Sequence, residues 1–234
     1  MAGKLILVAT PIGNLGDLSA RALQTLGAAE VLACEDTRRT RTLLSHYDLP
    51  RPAKLFSYRE DNERSMAERL LAELQSGNNV TVCTDGGYPG ISDPGYRIIR
   101  LAVEHSIEIE VVPGASAVPI ALLLSGLSTA SYTFKGFPPR KPGPRKRFFA
   151  QERDLPHTMV VYESPYRTGK MLADAAEALG PARQAAVCIE LTKKFERVSR
   201  GTLKELAEQF AGQKIKGEVV VVIAGAVRGE ADAL

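Results

Sequence analysis

The sequence predicts an α/β protein built as two α/β lobes, on three observations. Short aliphatic and β-branched runs alternate with amphipathic helical spacing through the first half, the pattern of a largely parallel sheet flanked by helices. Three of these runs end in glycine-bearing turns that open helices, at 9–19, 84–95 and 111–117. Near residues 115–125 the texture changes to a basic, proline-rich segment and then a second set of apolar runs. The chain therefore divides into an N-terminal lobe, 1–117, and a C-terminal lobe, 118–234.

Lys4 to Ala9 reads as the first strand, and Leu18, Ala22, Leu23 and Leu26 then recur at helical spacing. Val31 to Cys34 is strand-like, and a longer helix follows with Met66, Leu70, Leu71 and Leu74 on one face. Val80 to Thr84 resumes the sheet. Pro94 and Gly95 introduce the helical run YRIIRLAVEH, and Ile107 to Val112 closes the lobe before the Pro113–Gly114 turn. Beyond SAVPIALLLSGLS come TMVVYESP, AAVCIELT, RVSRGTL and EVVVVIAG, with helices between some of them.

Composition narrows the function classes. A chain of 234 residues, 44% hydrophobic and 24% charged, is ordinary for a protein with a sizeable core. MAGKLILVATP offers too few apolar residues before Pro11 for a signal-peptide core, and no apolar stretch reaches the length of a membrane span, so a cytoplasmic protein without a membrane partner is expected. Cys34, Cys83 and Cys188 lie far apart and His46, His105 and His157 are equally scattered, so neither a disulfide framework nor a metal site is expected. A net charge of +3 is too mild for a protein that coats nucleic acid over its whole surface. Polyanion contact must be local. The segment KGFPPRKPGPRKR, 135–147, carries six basic residues and no acidic one, and reads as a basic loop, either simply solvated or polyanion-binding.

The three turns are candidate ligand sites, because open α/β sheets bind ligands beyond the carboxyl ends of their strands. ATPIGNLGDLS is neither a dinucleotide fingerprint nor a phosphate loop with its lysine. TDGGYPGISDPG combines backbone that can approach a ligand closely with prolines that stiffen it. Asp85, at a strand tip, is placed to accept from an amine or a ribose hydroxyl, or to cap a turn. VVPGASA places Ser116 to cap a helix or touch a ligand. Spacing alone does not identify that ligand.

Together these motifs resemble the ribosomal RNA small subunit (cytidine-2′-O)-methyltransferases, a branch of the tetrapyrrole methylase superfamily. The likeness runs from about Leu5 to Ala224 through ATPIGNLGDLS, CEDTRRTRTLL, GISDPG, PGASA, VYESPYR, ELTKKFE and GEVVVVIAG. The resemblance implies S-adenosylmethionine in a cleft between two lobes, usually in a homodimer, and methyl transfer to a ribose 2′-hydroxyl in the decoding region of the small ribosomal subunit. RNA and not DNA is the implied partner. It also implies cofactor contacts at Pro11, Ile12 and Gly13, at Asp85 and Tyr88, at Ser116 and Ala117, and from the second lobe at Tyr162 and Leu191. The chain departs from the common S-D-A-G-T-P-G string at Gly86 and at the much larger Tyr88, which leaves open whether this tyrosine stacks on the cofactor, hydrogen-bonds it or swings outward.

A ribose hydroxyl is a poor nucleophile until its proton is drawn away, and Glu35 and Asp36 are the candidate acceptors; capping the following helix or pairing with its arginines is the alternative. Arg38, Arg39 and Arg41 crowd one helical turn, a repulsive arrangement unless carboxylates or phosphates neutralise it. With Arg140, Lys141, Arg145, Lys146, Arg147, Lys193 and Lys194 they form an expected basic rim for RNA. A corrin- or porphyrin-precursor methylase needs no such rim, and a non-catalytic RNA-binding assembly protein needs no glycine turns.

Overall fold

Each strand of the first unit is four residues long: β1 (Leu5–Val8), β2 (Val31–Cys34), β3 (Lys54–Ser57), β4 (Val80–Cys83) and β5 (Ile109–Val112). They pair in the order β3-β2-β4-β1-β5, all parallel. The structure, a computed structural model, describes residues 2–226. The chain divides into two units between Ser116 and Ala117, so Ala117 opens the second.

Interior strands of a parallel sheet are covered on both faces and read as continuous apolar runs. VLAC and VTVC follow that rule and are buried throughout, whereas β3 and β5, at the edges, admit Lys54 and Glu110. The crossovers are α1 (Ala20–Gly27), α2 (Thr37–His46), α3 (Glu63–Gln75) and α4 (Tyr96–Glu104). Ala67, Leu70, Leu71 and Leu74 of α3 join Ile98 and Ala102 of α4 in one core, and Ala22, Leu26 and Leu44 of α1 and α2 lie in another. Leu18 lies outside the first helix, which Ser19 caps by accepting the Ala22 N–H.

The second unit holds α5 (Ala117–Ser125), β6 (Tyr132–Phe134), α6 (Pro142–Ala150), β7 (Thr158–Glu163), α7 (Thr168–Leu179), β8 (Gln184–Ile189), β9 (Arg197–Thr202), α8 (Leu203–Gln209) and β10 (Val219–Ile223). Its sheet runs β6-β7-β10-β8-β9. The central β10, VVVVI, is buried along its whole length and antiparallel to both neighbours, so β6, β7 and β8 point the same way. Leu172, Ala175 and Phe149 from the helices pack with Val161, Val187 and Val221 in one core.

The basic, proline-rich segment corrects the expectation of a loop, because from Pro142 onward it is helical. Proline at the first helical position lacks an N–H that has no helical partner anyway, so it starts the helix and does not break it. The cysteines are buried free thiols, and burial raises Cys34 and Cys188 to about 11. Among the described residues no helix is long and apolar enough to cross a membrane, and no group of three or more His, Cys, Asp or Glu is arranged to hold a metal.

Candidate active site

Because every strand of the first sheet is parallel, the segments after β1, β2, β4 and β5 emerge at one edge. They are bonded into a single rim. Thr10 and Gly87 exchange backbone hydrogen bonds of 3.0 Å, and the Thr10 hydroxyl donates to the Thr84 carbonyl at 3.0 Å. Ala9 N–H reaches the Val112 carbonyl at 3.2 Å. A Cβ on Gly114 would stand 3.0 Å from the Ala9 carbonyl oxygen, so the first and third turns meet closely only because residue 114 has no side chain.

Tyr88 has a definite place here. Its hydroxyl accepts the Gly114 N–H at 3.0 Å, linking the second turn to the third. The departure from a small residue at this position thus serves the rim itself. Gly87 sits at φ +84°, a conformation that glycine adopts without strain. Pro11 is buried, Ile12 half-buried and Gly13 exposed, while Ser116 and Ala117 are half-buried.

Three carboxylates converge at the adjoining ends of β2 and β4. Asp85 accepts the Asp36 backbone N–H at 3.2 Å and Arg39 Nη1 at 3.0 Å. Asp36 caps α2, accepting the Arg38 N–H at 2.8 Å, and also pairs with the Arg38 guanidinium at 2.6 Å. That guanidinium pushes the Asp36 pKa down. Asp36 thus takes the capping and arginine-pairing alternative, with both carboxylate oxygens held by Arg38. Glu35 shifts the opposite way: burial raises its pKa first, and the Asp85 charge raises it further. Of the two candidates only Glu35 gains proton affinity.

Arg38 and Arg39 each hold a carboxylate of the rim, so the crowding of cations on α2 is relieved within the protein and needs no phosphate. Arg41 is exposed. The second-unit cations divide. Arg145 leaves the expected RNA rim: it is 3% exposed, bonded through Nε to Asp174 at 2.7 Å and through Nη1 to the Arg140 carbonyl at 3.0 Å. Lys146 pairs with Glu177, and Lys193 with Glu190 at 2.9 Å and Glu218 at 3.0 Å. Arg140, Lys141, Arg147 and Lys194 are exposed.

The aligned ends of β7 and β8 hold Tyr162, half-buried and edge-on to Phe134, and Leu191, 5% exposed. Sequence reasoning missed three neighbours. Glu163 is buried, with Oε1 held by Arg167 Nε at 2.8 Å and Oε2 without a hydrogen-bond partner; the i, i+4 spacing of glutamate and arginine in VYESPYR was the available signal. Glu190 and Thr192 stand in left-handed conformations at φ 55° and 64°. Such strain persists only where surroundings impose it. Gly217 leaves room for the Glu190 side chain, since a Cβ there would lie 2.1 Å from Glu190 Oε1.

The sequence profile of the Tetrapyrrole (Corrin/Porphyrin) Methylases matches residues 4–207. A protein of Mesorhizobium japonicum named Ribosomal RNA small subunit methyltransferase I is 44% identical over 229 residues, covering 97% of this chain and 77% of its own. A protein of the same name from Synechocystis sp. is 42% identical over 224 residues, 96% of this chain and 80% of its own. Among solved structures, the methyltransferase CobJ aligns with a TM-score of 0.71 at 16% identity, over 97% of this chain and 95% of its own. A uroporphyrin-III C-methyl transferase from Thermus thermophilus, complexed with S-adenyl homocysteine, aligns at 0.62 with 21% identity over 95% and 97%. At these identities the structural matches establish the shared fold.

Proposed function

The chain belongs to the tetrapyrrole methylase family, and on that basis we propose that it transfers the methyl group of S-adenosylmethionine to small-subunit ribosomal RNA, at the 2′-oxygen of a cytidine in the decoding region. The observation that carries this reading is 44% identity, across 97% of the chain, to a protein named as a small-subunit ribosomal RNA methyltransferase; the cytidine 2′-oxygen follows from the family resemblance of the sequence motifs. Cytoplasmic location and a homodimer belong to the same reading.

The first-unit rim suits this cofactor. S-adenosylmethionine supplies a methyl group made electrophilic by a sulfonium, and it carries positive charge and ribose hydroxyls. Asp85 is a half-buried acceptor, matched to a cationic, hydroxyl-bearing ligand. Pro11, Ile12, Gly13, Tyr88 and Ser116 would line it; Ala117, Tyr162 and Leu191, in the second unit, are cofactor positions by family resemblance alone. Glu35 would take the proton of the attacking 2′-hydroxyl, while the bonded turns hold the reactants in place. Positioning of this kind can supply most of the rate enhancement in a displacement reaction.

The proposal is tested by incubating the protein with methyl-labelled S-adenosylmethionine and unmodified small ribosomal subunits, and separately with a reduced uroporphyrin-type tetrapyrrole. Label in the subunit RNA alone is expected. Label only in the tetrapyrrole overturns the proposal.

The divided fate of the basic residues gives a further expectation. Replacing Arg140, Lys141, Arg147 and Lys194 by glutamine should flatten the salt dependence of RNA binding, by about 0.7 in log–log slope for each phosphate no longer neutralised. Arg145→Ala should leave that slope unchanged and cost about 2 kcal/mol in denaturant unfolding; Lys146, still near Asp174, keeps the loss below that of a fully orphaned buried charge. A slope change without loss of stability in Arg145→Ala would return this residue to the RNA rim.

A further inference from the structure

The sheet of the second unit gathers three exposed aromatic side chains at one edge. β6, β7 and β8 run parallel to one another, so the segments that follow them leave from the same side. Each segment carries a large ring: Phe137 after β6 is 55% exposed, Tyr166 after β7 is 88% exposed, and Phe195 after β8 is 73% exposed. One such residue is unremarked on any surface, but three from separate segments at one sheet edge form a patterned surface. Neighbouring strands lie about 4.8 Å apart, so β6 and β8, three intervals apart, are separated by about 15 Å at their ends.

The surroundings of these rings are cationic. Arg140 and Lys141 follow Phe137 and are exposed. Lys194 Nζ lies 5.7 Å from the Phe195 ring centroid, and exposed Arg197 begins β9 at the same edge. At the β6–β7 end Tyr162 stands edge-on to Phe137 at 5.6 Å between centroids, which supports one side of that ring. The segment bearing Phe195 is tied down: the Thr192 N–H donates to Glu196 Oε2 at 2.6 Å, and Glu190 and Thr192 hold their left-handed conformations within it. Phe195 is thus presented from a constrained segment.

Exposed rings interleaved with cations match single-stranded RNA, whose unstacked bases offer flat faces and whose phosphates offer negative charge. An apolar protein partner would match the rings but not the cations. We propose that Phe137, Tyr166 and Phe195 form a stacking platform for unpaired bases flanking the target nucleotide. The platform holds the strand open while Arg140, Lys141 and Lys194 engage its backbone. This inference rests on the RNA-methylating function proposed above and assigns that function a means of gripping its substrate.

The test uses the full chain and a 12-nucleotide single-stranded RNA carrying 2-aminopurine, whose fluorescence falls when the base stacks. The wild-type protein should quench it. Tyr166→Ala and Phe195→Ala should each weaken RNA binding about tenfold and reduce the quench, with the salt slope and S-adenosylmethionine affinity unchanged. Phe195→Trp should restore binding where Phe195→Leu does not, which separates stacking from apolar contact. Wild-type affinity and quench in Phe195→Leu and Tyr166→Ala overturn the platform while leaving the RNA function intact. A change of oligomeric state in these variants, read by sedimentation, also overturns it and makes the rings an interface between copies of the chain. Failure of the wild-type protein to bind the 12-nucleotide RNA overturns the platform, while the function beneath it is decided separately by label transfer to small ribosomal subunits.

Discussion

Glu35→Gln is expected to lower kcat by about 100- to 10,000-fold, the usual range for removing a general base, with S-adenosylmethionine affinity close to wild type. Glutamine keeps the shape and the capacity to accept a hydrogen bond but cannot take the proton. The pH profile supplies the sharper reading. Burial and the neighbouring Asp85 charge raise the Glu35 pKa, so its carboxylate protonates at a higher pH than an ordinary glutamate. A base must be unprotonated to act; wild-type activity should therefore fall as pH drops through that raised value, with an acid limb above the usual glutamate range. The acid limb should disappear in Glu35→Gln. Full kcat in this variant would remove Glu35 from the chemistry and leave positioning as the whole of catalysis.

Replacing Asp85 by alanine should weaken S-adenosylmethionine binding by about 10- to 100-fold, the cost of one hydrogen bond to a charged group. Asp85 also ties the end of β4 to the start of α2 through Asp36 N–H and Arg39. Asp85→Asn keeps one acceptor oxygen, enough for the Asp36 N–H, and turns an amide NH2 toward Arg39; by keeping the tie between β4 and α2 while removing the charge it separates the two roles, and it should preserve the fold and recover part of the affinity. Both variants remove a negative charge that raises the Glu35 pKa. The acid limb of activity should consequently move to lower pH in each. An unchanged cofactor affinity in Asp85→Ala, measured by calorimetry, contradicts the assignment.

Much of the first unit was readable because its interior strands are covered on both faces, which forces uninterrupted apolar runs such as VLAC and VTVC. The edge strand KLFS escaped, since an edge needs apolar contact on fewer sides and tolerates Lys54. The three turns were readable from glycine and proline, but their joining was not: the Tyr88–Gly114 bond and the Asp85–Arg39 pair link positions far apart in the chain. Glu35 and Asp36, adjacent in sequence, looked equivalent, and only the Arg38 guanidinium on one and burial of the other separated them. The proline-rich segment reads as a loop by composition, whereas Pro142 starts a helix there. Arg145 misled for a related reason, since within a run of cations the sequence does not say which one the helix turns inward.

Ribose methylation of small-subunit RNA leaves a chemical signature in its product. Alkali cleaves RNA through the 2′-hydroxyl, so a 2′-O-methyl group protects the adjoining phosphodiester. Labelled subunit RNA, hydrolysed completely in alkali and separated by size, should carry its label in one alkali-stable dinucleotide whose 5′ residue is cytidine. Label released in mononucleotides would show methylation of a base and overturn the proposed reaction.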